Sequence, residues 1–123
     1  MSEFLVIEDD EGVRAVLCGM LERLGHQVVL ACDGAEGVSM FQKRQSPNVI
    51  TDMLMPEKEG LQTIHEIREI SPEVRILAIS GGGRSINAGS CLKLASSMGA
   101  NCVLEKPFDF KQIGDAVNQL IGE

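Results

Sequence analysis

The sequence has no long uninterrupted hydrophobic segment, although 44% of its 123 residues are hydrophobic. No apolar run approaches the ~20 residues that a helix needs to cross a membrane. The first ten residues, MSEFLVIEDD, also lack the basic and apolar regions of a secretory signal peptide. We therefore expect a cytoplasmic protein that forms one domain over residues 1–123, since this is a usual length for a single domain.

Positive charge is scarce, because 11 basic residues face 18 acidic ones and the formal net charge is −7. Nucleic acids and anionic lipids bind basic surfaces, so this charge disfavours either as a direct partner. The cysteines show no C-x-x-C spacing, which argues against a redox or metal site of that kind. We expect reduced, small, buried apolar residues at Cys18, Cys32, Cys91 and Cys102.

Two hydrophobic patterns alternate along the chain. Short apolar runs predict five strands: FLVIE (4–8), HQVVLA (26–31), NVIT (48–51), VRILAIS (74–80) and NCVLE (101–105). After each run, apolar residues recur at helical spacing, as in the stripe formed by Val13, Val16, Leu17, Met20, Leu21 and Leu24. Five strand–helix repeats with apolar strands predict a parallel sheet covered by helices on both faces, which makes three layers.

Polar residues stand where the predicted strands end. The carboxyl ends of parallel strands lie along one edge of a sheet, and ligands bind outside that edge. The residues expected there are Glu8, Asp9, Asp10, Asp52, Ser80, Gly81, Gly82, Gly83, Lys106 and Pro107. Asp10, Asp33 and Asp109 precede helical stripes and are interpreted as helix caps, although a metal-binding role for Asp10 stays open.

This set of side chains predicts a phosphoryl-transfer site with a divalent cation. Two carboxylates roughly 4 Å apart repel each other by about 4 kcal/mol at an effective dielectric constant of about 20, and a cation removes that repulsion. Oxygen-only ligands favour Mg²⁺, which is held by one or two carboxylates together with water and substrate oxygens. Asp52 is then the candidate nucleophile, because carboxylates can form aspartyl-phosphates. Lys106 and the metal would stabilise the transferring group, and Ser80 could donate a hydrogen bond to it.

Four motifs resemble the receiver domain of two-component response regulators, over the whole length of the chain. In order, they are IEDDEGVR (7–14), TDMLMPEKEG (51–60), ILAISG (76–81) and GANCVLEKPF (99–108). The resemblance implies a flavodoxin-like (βα)5 sandwich with strand order 2-1-3-4-5. It also implies a phosphorylation-controlled signalling switch, rather than a turnover enzyme, whose donor is a sensor histidine kinase or a histidine phosphotransfer protein.

The resemblance carries roles to individual positions. Glu8 and Asp9 match the acidic pair that binds Mg²⁺, with Mn²⁺ as a possible substitute, and Asp52 matches the phospho-acceptor, which also contacts the metal. The remaining matches are Leu54 as a backbone carbonyl ligand, Ser80 as the switch hydroxyl, Gly81 beside the phosphoryl group, and Lys106 as the site lysine. In this family the bond between that lysine and the following proline, here Pro107, is typically cis.

One position departs from the family pattern. Val103 stands where many receivers carry the aromatic residue that reports phosphorylation, and the chain has neither tyrosine nor tryptophan. How the signal would reach an output partner, which the sequence does not identify, is therefore open.

Two other kinds of protein use some of the same chemical groups or the same fold. A Mg²⁺-dependent phosphohydrolase with an aspartyl intermediate would need a second acid two residues after Asp52, where Leu54 stands. A flavodoxin-type electron carrier would need a loop that binds a flavin phosphate, whereas EDDEG after the first strand would repel one.

Overall fold

The computed structural model describes residues 2–52, 57–80 and 99–122. In this part, the elements are β1 (Glu3–Ile7), α1 (Glu11–Arg23), β2 (Gln27–Ala31), α2 (Gly34–Lys43), β3 (Asn48–Asp52), α3 (Glu57–Ile70), β4 (Arg75–Ser80), β5 (Cys102–Glu105) and α4 (Phe110–Ile121). The strands form one sheet of order β2-β1-β3-β4-β5, and every neighbouring pair is parallel. The predicted α/β architecture and the implied strand order are confirmed. The helix predicted between β4 and β5, which includes Cys91, lies outside the described residues.

The core consists of two hydrophobic clusters, one on each face of the sheet. Alternate strand residues point to opposite faces, so Leu5 and Ile7 contribute to one cluster while Phe4 and Val6 contribute to the other. The first cluster packs against α2 and α3 through Phe41, Ile64 and Ile67. The second packs against α1 and α4 through Leu17, Leu21, Ile113 and Val117. Helices thus cover both faces, as the apolar strands predicted.

Three predictions about burial are wrong. β2 is not buried on both faces, because it is an edge strand of the sheet and Leu30 is 39% exposed. Val16 of the α1 stripe is 50% exposed, because it lies at the margin of a helical face whose centre is Leu17 and Leu21. Cys32 is exposed rather than buried, because it lies in the turn that follows the edge strand.

Aspartates cap three of the helices, as predicted. The side chains of Asp10, Asp33 and Asp109 accept hydrogen bonds from the backbone N–H groups three residues further on, at distances of 3.0, 2.8 and 2.8 Å. Gln112 completes a capping box at α4, because its side-chain oxygen accepts from the N–H of Asp109. These caps determine where the loops at the carboxyl edge of the sheet enter the helices.

A glycine lets α2 approach the sheet closely. A Cβ atom at Gly37 would lie 2.4 Å from Cδ1 and 2.7 Å from Cγ1 of Ile7, so no larger residue fits unless the Ile7 side chain moves. Because Ile7 directly precedes Glu8, this contact supports the strand end from which the acidic loop begins.

At the opposite edge of the sheet, Arg68 of α3 connects two loops. Its guanidinium donates hydrogen bonds to the carbonyl oxygens of Pro72, Val74 and Gly99, and to the side-chain oxygen of Asn101. The Asn101 oxygen also accepts from the N–H of Ile76 at 2.8 Å. The sequence did not predict this network. In the described residues, no helix has both the length and the hydropathy needed to cross a membrane.

Candidate functional site

Three strands bring two carboxylates and one ammonium together at the carboxyl edge of the sheet. Glu8 follows β1, Asp52 ends β3, and Lys106 follows β5. Lys106 Nζ donates a hydrogen bond of 3.0 Å to Asp52 Oδ2 and one of 3.3 Å to Glu8 Oε1. β5 is separated from β3 by β4, so the long lysine side chain spans the end of the intervening strand. The predicted meeting of these three residues is confirmed.

Asp9 adds a third carboxylate to this group. One carboxylate oxygen from each of Glu8, Asp9 and Asp52 lies within 4.8 Å of the others. Glu8 and Asp52 are only 1% and 2% exposed, whereas Asp9 is exposed. The cluster therefore has two buried acids and one that faces the solvent, so a cation can reach it from the solvent.

The electrostatics of the cluster show how far its charges are from balance. Burial raises the pKa of Glu8 to about 7, and hydrogen bonding with Asp52 adds to the rise. Burial alone would lower the pKa of Lys106, but hydrogen bonds and charge from Asp52 and Glu8 outweigh it, and the pKa is raised. Ionised Glu8 is therefore destabilised in the folded protein, first by burial and then by the neighbouring acids, whose effect one ammonium only partly offsets.

The donor set fits a divalent cation. All three side chains offer oxygen, and two carboxylates are already held in place by burial and by Lys106. Mg²⁺ needs few protein ligands and keeps several waters, so a cluster with one side open to solvent suits it. A cation at this position would also lower the pKa of Glu8, because it favours the ionised carboxylate against both burial and the neighbouring acids.

Backbone contacts hold the loop that carries Glu8 and Asp9. The N–H of Glu8 donates to the carbonyl oxygen of Ala31 at 3.1 Å, and the N–H of Asp10 donates to Glu8 Oε2 at 3.1 Å. Arg14 donates from Nη1 to the carbonyl oxygens of Glu8 and Asp9, at 2.9 and 3.4 Å. Arg14 belongs to the motif IEDDEGVR, but its spacing alone did not indicate which groups it would contact.

The other predicted positions have different outcomes. The Lys106–Pro107 bond is cis, as the resemblance implied. Val103 is partly buried and packs against the core cluster beneath α2 and α3. It is the residue that stands where many receivers carry an aromatic side chain. Ser80 ends β4, but its side chain lies outside the described part of the structure, as do Leu54 and Gly81.

Comparisons with known proteins agree with this geometry. Residues 4–118 match the family described as the response regulator receiver domain. The chain is 34% identical over 117 residues to the DNA-binding transcriptional regulator NtrC of Azospirillum brasilense, covering 95% of this chain and 24% of that protein. It is 27% identical to the response regulator receiver protein CpdR of Brucella abortus, covering 98% of each. The chain therefore spans about a quarter of the first relative and nearly all of the second.

A solved structure gives the same result for the fold. The crystal structure of a response regulator receiver domain protein from Clostridium thermocellum superposes with a TM-score of 0.83 and is 29% identical, covering 99% of this chain and 95% of that one. Three observations point to the same family: the strand order, the acidic cluster at the carboxyl edge of the sheet, and the family match over residues 4–118. The chain belongs to the response regulator receiver domains, the phosphorylation-controlled signalling switches of two-component systems.

Proposed function

We propose that Asp52 is the residue that accepts the phosphoryl group. The observation that carries this proposal is the position of its carboxylate, which is 2% exposed, lies 3.0 Å from Lys106 Nζ and borders two further acids. A carboxylate oxygen of Asp52 would attack phosphorus, and the bond between phosphorus and the donor would break. Lys106 would balance the charge of the phosphoryl oxygens, as preorganised cations do in phosphoryl transfer.

We further propose that Glu8, Asp9 and Asp52 hold Mg²⁺ or Mn²⁺ together with the backbone carbonyl of Leu54. Receiver domains bind Mg²⁺ at an acidic site, and an acidic cluster is present at this edge of the sheet. The bound cation would supply charge neutralisation for the phosphoryl group. Ser80 and Gly81 are proposed to contact that group after transfer, because the sequence places them directly at and after the end of β4.

Membership in the family indicates the class of phosphoryl donor but does not identify the output partner. Receiver domains receive phosphate from histidine kinases or phosphotransfer proteins. We propose such a protein as the donor to Asp52, with transfer and slow hydrolysis as the only chemistry of this chain. Val103 offers no ring to rotate, so we expect the response to phosphorylation to be concentrated near Ser80 and the glycines that follow it. A cytoplasmic location and a single domain over residues 1–123 stay predictions.

The test of Asp52 is phosphorylation by a small donor. Purified protein is incubated with acetyl phosphate or phosphoramidate, with Mg²⁺ or with a chelator, and its mass is measured. We expect one added phosphoryl group, only with the cation, and none in Asp52→Asn, because the amide lacks the nucleophilic oxygen. Asp33→Asn is the matched control, since it makes the same chemical change at a cap that asparagine also serves.

Two results would contradict the proposal. Labelling of Asp52→Asn to the parent's level would show that another residue accepts the phosphoryl group. Multiple turnovers on a phosphate monoester would instead favour the Mg²⁺-dependent phosphohydrolase, the alternative with the same chemical groups.

A further inference from the structure

Arg14 contacts the acidic loop in a way that the proposed chemistry does not use. It is half-buried in α1, and its side chain turns back toward the loop before the helix. One nitrogen, Nη1, donates to the carbonyl oxygens of both Glu8 and Asp9, at 2.9 and 3.4 Å. Arg14 cannot itself be a metal ligand, because a guanidinium has no acceptor and is always charged.

These two contacts restrain the backbone conformation at Asp9. Each carbonyl belongs to a planar peptide unit, and the two units flank the Cα atom of Asp9. Holding both carbonyl oxygens on one nitrogen restricts φ and ψ of Asp9, and with them the direction of its Cβ. Asp9 is the exposed acid of the cluster, so burial does not fix its orientation as it does for Glu8.

We propose that Arg14 is a positioning residue for the divalent cation, which it serves by directing the carboxylate of Asp9 into the cluster. The inference rests on the proposed metal site formed by Glu8, Asp9 and Asp52. In this proposal Arg14 strengthens Mg²⁺ binding, whereas its positive charge alone would weaken it. A nearby positive charge repels Mg²⁺, so removing it would strengthen binding if charge were its main contribution. Loss of positioning weakens binding instead.

The experiment measures Mg²⁺ affinity in the parent and in Arg14→Met. Because the chain has no tryptophan or tyrosine, binding is followed by amide chemical shifts in NMR titrations, at a temperature where both proteins are folded. Changes to residues that orient metal ligands typically lower metal affinity by about 10- to 100-fold. We expect the dissociation constant of Arg14→Met to rise roughly tenfold. A merely structural role would lower the melting temperature and leave this constant unchanged.

Two further variants separate position from charge. Arg23→Met removes the same charge from the same helix, at a side chain that packs over Phe110 instead of the loop, and should leave the constant within about twofold. Arg14→Lys keeps the charge and can still donate to one carbonyl, so its affinity should lie between those of Arg14→Met and the parent. If Arg14→Met does not fold, weakened binding in Arg14→Lys supports the proposal and unchanged binding overturns it.

The outcomes distinguish this inference from the proposed function. Equal or tighter Mg²⁺ binding by Arg14→Met, in a parent that binds Mg²⁺, overturns the positioning role and leaves the metal site intact. A parent chain that does not bind Mg²⁺ overturns the metal site and the inference together.

Discussion

Replacing Glu8 by glutamine should stabilise the metal-free protein at neutral and alkaline pH. Glutamine has nearly the same shape, and its single oxygen can keep the hydrogen bond from the N–H of Asp10 at the expense of the longer one from Lys106. The main change is the charge: ionised Glu8 is 1% exposed and borders two other carboxylates, while Lys106 compensates only in part. The variant removes the acid whose ionisation is unfavourable in the folded state.

The magnitude follows from the pKa of Glu8, which is raised from 4.5 to about 7. That difference corresponds to at most about 3 kcal/mol of folding free energy. Between these two values the folded state binds a proton that the unfolded state has released, so stability falls as pH rises through this window. Below about pH 4.5 Glu8 is protonated in both states and contributes no difference, and above about pH 7 the full penalty applies.

The assay is urea unfolding followed by far-ultraviolet circular dichroism, with a chelator present, at several pH values from about 5 to 8. We expect Glu8→Gln to exceed the parent by about 1–3 kcal/mol at pH 8, with a difference that shrinks steadily toward pH 5. Taking the difference between variant and parent removes contributions from groups that titrate alike in both. Asp9→Asn serves as the control, because Asp9 is exposed and its removal should change stability less.

Adding Mg²⁺ should stabilise the parent more than it stabilises Glu8→Gln. At a free Mg²⁺ concentration ten times the dissociation constant, binding stabilises the parent by about 1.4 kcal/mol. Glu8→Gln, and more completely its combination with Asp9→Asn, should gain little, because ligand oxygens and charge have been lost. A metal-free Glu8→Gln that is no more stable than the parent at pH 8, or a difference that does not depend on pH, would refute the reasoning about buried charge.

Three predictions concern the scaffold and use the same unfolding assay. Gly37→Ala should lower stability by about 1–3 kcal/mol, and adding Ile7→Val should recover part of the loss by removing the atom 2.4 Å from the new methyl group; additive losses would contradict the contact. Arg68→Met should cost about 3 kcal/mol, because it removes charged donors from three carbonyls, and a cost below about 1 kcal/mol would show that water replaces them. Asp109→Ala should cost about 1 kcal/mol while Asp109→Asn costs almost nothing, and equal losses would exclude capping as the cause.

The fold was predictable because its signals are local and repeated. Apolar strand runs alternate with helical stripes, and turn and capping residues such as Asp33 and Asp109 mark helix starts. Chain topology then limits the possibilities, since parallel strands require crossover helices and place all strand ends at one edge. Two of the three errors, at Leu30 and Cys32, occurred where exposure depends on the position of a strand in the sheet. Local pattern does not contain that position, because it is established by pairing between distant segments.

The sequence alone determined which residues end each strand, and therefore that Glu8, Asp9, Asp52 and Lys106 would share one edge of a parallel sheet. Tertiary structure decided how they meet. The ammonium of Lys106 bridges two carboxylates that are 98 and 54 residues away along the chain, and Arg14 turns back onto the acidic loop. Distances, burial and pKa depend on packing among these separate segments, because the free energy of a charge is set by its surroundings in space. Neighbours in sequence specify the chemical groups, and only the folded chain specifies the electrostatic environment in which they act.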